Sequence, residues 1–209
     1  MRQKRIENRP SERCGDMKGC RSFTDQEADQ IMKSFKGTFA ARDRAIFAVG
    51  RYTGERISAI LKLKVGDVVQ AGRIADAVTY RRASRKGKTE GRTVKLHAEA
   101  KTALAAWINT LAKDTVLTAE DFVFPSRKGQ GALGRVQYHR ILKGIVEANE
   151  LTGKIATHSM RKTFADRVYE KLGRDIFRTQ KALGHRNINS TVQYLSFQES
   201  DIDDAILSI

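Results

Sequence analysis

Apolar residues recur at helical spacing along almost the whole chain, and the interruption lies between Arg73 and His97, where they alternate instead. A stripe repeating every three to four residues lines one face of a helix, whereas an alternating stripe lines one face of a strand. The pattern therefore restricts the fold class to α+β, mostly helical with a small antiparallel sheet. Thr24-Asp-Gln-Glu27 reads as a capping box, with Ala28, Ile31, Met32 and Phe35 at helical spacing after it and Gly37 ending the helix. A second helix is predicted over about Ala41 to Tyr52. A third starts near Glu55 with Ile57, Ile60 and Leu61 facing inward, which puts Arg56 at a helix start. In the alternating stretch Ile74, Ala77 and Val78 precede the turn Ser84-Arg85-Lys86-Gly87-Lys88-Thr89-Glu90-Gly91, and Val94 and Leu96 follow it. The turn projects cations from a hairpin.

Helices resume over about Ala98 to Ala112 and about Val136 to Asn149. A further helix holds Met160, Phe164, Val168 and Leu172 on one face and stops at Gly173. Its neighbour runs to Leu183 with Gly184 as its cap, a short helix around Thr191 carries Tyr194, and a last one spans Asp201 to Ile209.

With 209 residues and 40% hydrophobic content the chain is long enough for one well-buried domain. Thirty-nine Lys and Arg against twenty-four Asp and Glu leave a formal net charge of +15, which favours a polyanionic partner such as nucleic acid. Residues 1–21 are polar and basic and read as a flexible tail or linker; residues 22–209 read as the folded domain. Cys14 and Cys20 have no histidine near them, so a zinc site would lack two ligands, and they read as free thiols in a reducing cytoplasm. No basic start leads into an apolar run and no long apolar stretch occurs, so the chain reads as neither secreted nor membrane-spanning.

The chemistry is concentrated in four boxes. Thr53-Gly54-Glu55-Arg56 supplies one arginine, His158-Ser159-Met160-Arg161 a histidine and a second arginine, Leu183-Gly184-His185 another imidazole, and Tyr194 a phenol. Two guanidinium groups can hold the non-bridging oxygens of a phosphodiester while a phenol attacks phosphorus and imidazoles handle its proton, with no metal required. In order, spacing and context this set resembles the tyrosine recombinases, the phage-integrase family, from about Arg21 to about Ser196.

The resemblance implies a catalytic domain that breaks and rejoins double-stranded DNA through a 3′-phosphotyrosine, without cofactor, as a homo-oligomer (a tetramer) on DNA. By it, Arg56 and Arg161 clamp the phosphate, His158 accepts the proton of the nucleophile Tyr194, and His185 fills the second imidazole position. A hairpin lysine protonates the leaving 5′-oxygen; counting back from Arg92 favours Lys86, and Lys88 stays open. Arg85, Lys88, Arg127, Lys128 and Lys162 are the expected DNA-binding cations. The chain departs from the family at Ala59, where a carboxylate usually follows the first arginine by three residues; Glu55 is adjacent but reads as projecting differently. Lys95 and Lys162 are further departures. The family's usual amino-terminal core-binding domain is expected to be absent. A DNA-binding regulator that retains the fold without catalysis, and a type IB topoisomerase that relaxes without exchange, are the alternatives.

Overall fold

The computed structural model describes residues 19–81, 91–113, 115–127, 131–195 and 206–208. Folded structure begins where the capping box places it. Helix α1 (Asp25–Ser34) follows Thr24, whose hydroxyl accepts from Glu27 N at 3.2 Å while Thr24 N donates to Glu27 Oε2 at 2.9 Å. Arg21 secures this entry: it pairs with Glu27, and its backbone N–H donates to Lys154 O at 2.8 Å.

Helix α2 (Ala40–Thr53) is the axis of the domain, buried along nearly its whole length from Arg42 to Thr53. It packs against α5 (Ala98–Leu111) and α7 (Thr157–Lys171), with α1 and the short α3 (Ile57–Ile60) beside it. Around α2 lies the main core, which includes Phe23, Ile31, Phe47, Leu104, Trp107, Phe124, Tyr138 and Leu142. Each such fully buried side chain contributes roughly 1.5–3 kcal/mol relative to its exposed state. The indole of Trp107 is matched inside this core: its Nε1 donates to Val123 O at 2.6 Å.

The alternating stretch forms two ribbons. After α4 (Val65–Val68), β1 (Val69–Gln70) pairs antiparallel with β2 (Arg73–Ile74), and β3 (Ala77–Tyr80) pairs antiparallel with β4 (Arg92–Lys95) in the register Val78 to Val94 and Tyr80 to Arg92. The first ribbon escapes a reading by alternation because a two-residue strand has no period to detect. Residues 82–90, including most of the charged turn, lie outside the described residues.

Helix α6 (Arg135–Ala148) packs on α1 and α7, and α8 (Ile176–Leu183) and α9 (Asn189–Val192) complete the domain. Beneath α8 and α9 is a second, smaller cluster of Ala165, Leu183 and Leu195 with Phe164, Ile176 and Tyr194 packed against it. The stripe expected on α7 is divided between the two clusters, Met160 going to the main core and Phe164 to the smaller one. Tyr194 is not on a helix: α9 ends at Val192, and Tyr194 N closes a tight turn onto Thr191 O at 2.9 Å, which turns Leu195 into the core. Of the last predicted helix only residues 206–208 are described, and they expose Ile206 and Leu207. Cys20 is a free, buried thiol, while Cys14 lies outside the described residues. Among the described residues no helix is long and apolar enough to cross a membrane.

Candidate active site

The end of α2 sets the first arginine. Gly54 adopts the left-handed conformation (φ 60°) and donates its N–H to Gly50 O at 3.1 Å, closing the helix. A Cβ at Gly54 would lie 2.2 Å from Phe164 Cδ1, so glycine both permits the turn and lets α7 approach. The chain then leaves extended through Arg56 (φ −67°, ψ 140°), whose N–H donates to Glu55 Oε1 at 3.1 Å. Among the described residues the Arg56 guanidinium makes no hydrogen bond or ion pair, so its donors are uncommitted.

Arg161 is the opposite case. It is only 2% exposed, in the buried amino-terminal half of α7, and its fork is bound on several sides. Nη1 donates to Gly54 O, and Nη2 donates to Leu183 O at 3.0 Å and meets His185 Nε2 at 2.7 Å. Its buried Nε–H has no partner among the described residues, a donor costly to leave unmet. Loss of hydration pulls its pKa down to about 10, while the charges of Glu55 and Tyr194 act in the other direction. It still carries its charge at neutral pH.

A guanidinium has donors only, so His185 Nε2 must accept, and the imidazole proton sits on Nδ1. That nitrogen lies 3.0 Å from Thr191 Oγ1, which accepts it. The Gly184 cap (φ 62°) turns the chain off α8 and brings His185 back over Arg161. The His185 ring lies 5.4 Å from that of Tyr194, tilted by 39°, and the Arg161 guanidinium carbon stands 5.3 Å from the Tyr194 ring centroid, within cation–π range. A partly buried phenol is thus packed beside both an imidazole and a fixed cation.

His158, in the first turn of α7, is open to solvent on one side. The protein displaces water from its other side, and that partial desolvation, followed by the charges of Arg56, Arg161 and Arg135, lowers its pKa below the ordinary histidine value. It is neutral at pH 7 and able to take a proton. The structure therefore gathers Arg56, His158, Arg161, His185 and Tyr194 in one place from segments far apart in sequence.

The other predicted residues are distributed differently. Arg127 is exposed, with its guanidinium 4.4 Å from the Phe39 ring centroid. Lys162 is 7% exposed on α7, in the buried amino-terminal half of that helix, so it is not presented as a surface cation. Lys86, Arg85, Lys88 and Lys128 lie outside the described residues.

Four further residues belong to the surroundings of the site. Glu55 is buried and pairs through Oε2 with Arg92 Nη1 at 3.1 Å. Arg92 Nη2 donates to Ala182 O. A signal for Arg92 existed in the sequence: it shares strand parity with Val94 and Leu96, so an arginine falls on the core-facing side. Thr191, the acceptor for His185, and Arg135, the third cation near His158, carried no comparable signal.

Among the described residues no group of three His, Cys, Asp or Glu side chains is placed to hold a metal ion. Residues 21–200 match the family described as the phage integrase family. The chain is similar to the tyrosine recombinase XerC of Caldanaerobacter subterraneus subsp. tengcongensis, 26% identical over 184 residues that cover 88% of this chain and 49% of that protein. It is also similar to the tyrosine recombinase XerD of Listeria innocua, 32% identical over 157 residues, 73% of this chain and 49% of the relative. The chain thus spans about half the length of these curated relatives. Its fold matches the XerH site-specific recombinase, solved bound to a palindromic difH substrate after cleavage, with a TM-score of 0.70 at 24% identity over 88% of this chain and 51% of that one. That likeness establishes the mostly helical fold with small antiparallel sheets as the tyrosine recombinase catalytic fold.

Proposed function

The chain belongs to the phage integrase family of tyrosine recombinases, and from its site we propose that it cleaves and rejoins duplex DNA through a phosphotyrosine. One observation carries this reading: an uncommitted arginine, Arg56, and an anchored one, Arg161, converge with His158, His185 and the phenol of Tyr194. Fixed guanidinium donors stabilise the charge that develops on phosphoryl oxygens, a contribution of roughly 3 kcal/mol or more for each well-placed group. Arg56 and the unmet Nε–H of Arg161 supply such donors.

In the forward step Tyr194 Oη bonds to phosphorus and the bond from phosphorus to the 5′-oxygen breaks. The phenol proton passes to His158, which is neutral at pH 7, and the 5′-oxygen leaves with a proton from Lys86, or from Lys88. In the return step a 5′-hydroxyl of a partner duplex attacks the phosphotyrosine, giving its proton to the lysine left neutral, and Oη departs with the proton held by His158. The phosphotyrosine conserves the bond, so no nucleotide is consumed. The +15 charge supports a DNA partner, as does the similar fold of the Tn1549 transposon integrase, solved in complex with transposon right end DNA. Arg85, Lys88, Arg127 and Lys128 are the cations assigned to phosphates, and assembly of several copies on DNA, a tetramer, is the form in which strands would be exchanged.

The test is a nicked suicide duplex, from which the cleaved strand diffuses away and traps the adduct. The unsubstituted chain should form a covalent protein–DNA species and Tyr194→Phe should form none while binding the duplex equally well. Undiminished adduct from Tyr194→Phe would remove Tyr194 as nucleophile.

A further inference from the structure

Glu55 stands behind the two arginines. Its carboxylate is 3% exposed and both oxygens are engaged: Oε1 accepts from the backbone N–H of Arg56 at 3.1 Å, and Oε2 accepts from Arg92 Nη1 at 3.1 Å. Arg92 in turn donates to Ala182 O, and the next carbonyl, Leu183 O, accepts from Arg161 Nη2. The connections form one path from the backbone of Arg56 through Glu55 and strand β4 to the end of α8 that holds Arg161. We propose that Glu55 is a positioning residue for strand cleavage, tying Arg56 to the β4–α8 brace so that the two guanidinium groups keep one fixed separation.

The proposal rests on the cleavage reading above. Its physical basis is the cost of a buried carboxylate, which is tolerated where it is paired and hydrogen-bonded, and which then fixes its partners in return. Position 59, three residues after Arg56, offers no acid: Ala59 is 1% exposed, within the apolar core beside Ile57 and Ile60. Glu55 reaches the same arginine from its amino-terminal side. It also faces Arg161 electrostatically, where the surrounding groups are Tyr194, His185 and the cations Arg56 and Arg92. Of these, Glu55 is the foremost charge favouring the protonated guanidinium. A carboxylate here therefore affects both geometry and charge.

Glu55→Gln keeps the size and the acceptor for Arg56 N while removing the charge. It is compared with the unsubstituted chain in single-turnover adduct formation on the suicide duplex, in duplex affinity, and across a pH series reaching about pH 10. A direct oxyanion donor is worth on the order of 100- to 1000-fold; a positioning group should cost less, on the order of tenfold or more in cleavage rate. Duplex Kd should stay within about threefold, activity should decline at lower alkaline pH than in the unsubstituted chain, and Glu55→Asp should recover part of the rate. Equal cleavage and an equal pH profile in Glu55→Gln would overturn the positioning role and leave the cleavage reading intact. Absence of adduct from the unsubstituted chain would overturn both. Should Glu55→Gln fail to fold, Arg92→Lys carries the test, because an ammonium cannot bridge Glu55 and Ala182 O together; unimpaired cleavage by it would equally overturn the role.

Discussion

Arg161 Nη2 lies 2.7 Å from His185 Nε2, so a guanidinium from α7 is held by an imidazole that follows α8. The same guanidinium also reaches Gly54 O and Leu183 O. A lysine has a single nitrogen at the end of a flexible stem and cannot meet three acceptors set around a plane. Arg161→Lys should therefore lower adduct formation on the suicide duplex by about 100- to 1000-fold, although the charge is retained. A rate within a few-fold of the unsubstituted chain would mean that charge alone suffices at this position.

Thr191 fixes the tautomer of His185 by accepting its Nδ1–H. Thr191→Val removes that acceptor and leaves a buried donor unmet, which costs about 1–3 kcal/mol and frees the ring to turn away from Arg161. Lower thermal stability and slower cleavage should appear together. Thr191→Ser keeps the hydroxyl and should restore most of both; a loss in Thr191→Ser with none in Thr191→Val would point to the threonine methyl instead.

His158 has its pKa lowered by partial desolvation and by Arg56, Arg161 and Arg135. As a proton acceptor it works only when neutral, so cleavage should fall as pH drops through that lowered value, below the ordinary histidine range near ~6.5. Removing one cation raises the pKa. Arg135→Gln should thus shift the acid limb of the pH–rate profile to higher pH, and an unmoved limb would assign that limb to another group.

Gly54→Ala combines a positive φ with a Cβ directed into the Phe164 ring. Backbone strain and overpacking together should cost about 2–4 kcal/mol. For a domain of this size that is roughly 5–15 °C in Tm, read by thermal denaturation. An unchanged Tm would show that α7 can withdraw from the α2 terminus without penalty.

The sequence by itself determined the elements and the chemical cast. Helical periodicity, the Thr24 to Glu27 capping box, and the glycines at 173 and 184 are local signals, because a helix is closed by groups within a few residues of its own ends. The same holds for Arg56 at the start of α3. The two-residue ribbon β1–β2 was below the length at which a period can be read, and the turn at Tyr194 depended on Leu195 finding the core.

What only the tertiary structure decided is how the charges are divided. Arg56 and Arg161 look equivalent in the chain, yet one is uncommitted and the other is bound by carbonyls of Gly54 and Leu183, 107 and 22 residues away in sequence. Likewise the neighbour of Arg56 at position 55 turns inward to meet Arg92, 37 residues on, a partner that its sequence position did not reveal. Burial raises the cost of every unpaired charge, so long-range packing selects which polar partners must meet, and no local pattern encodes that choice.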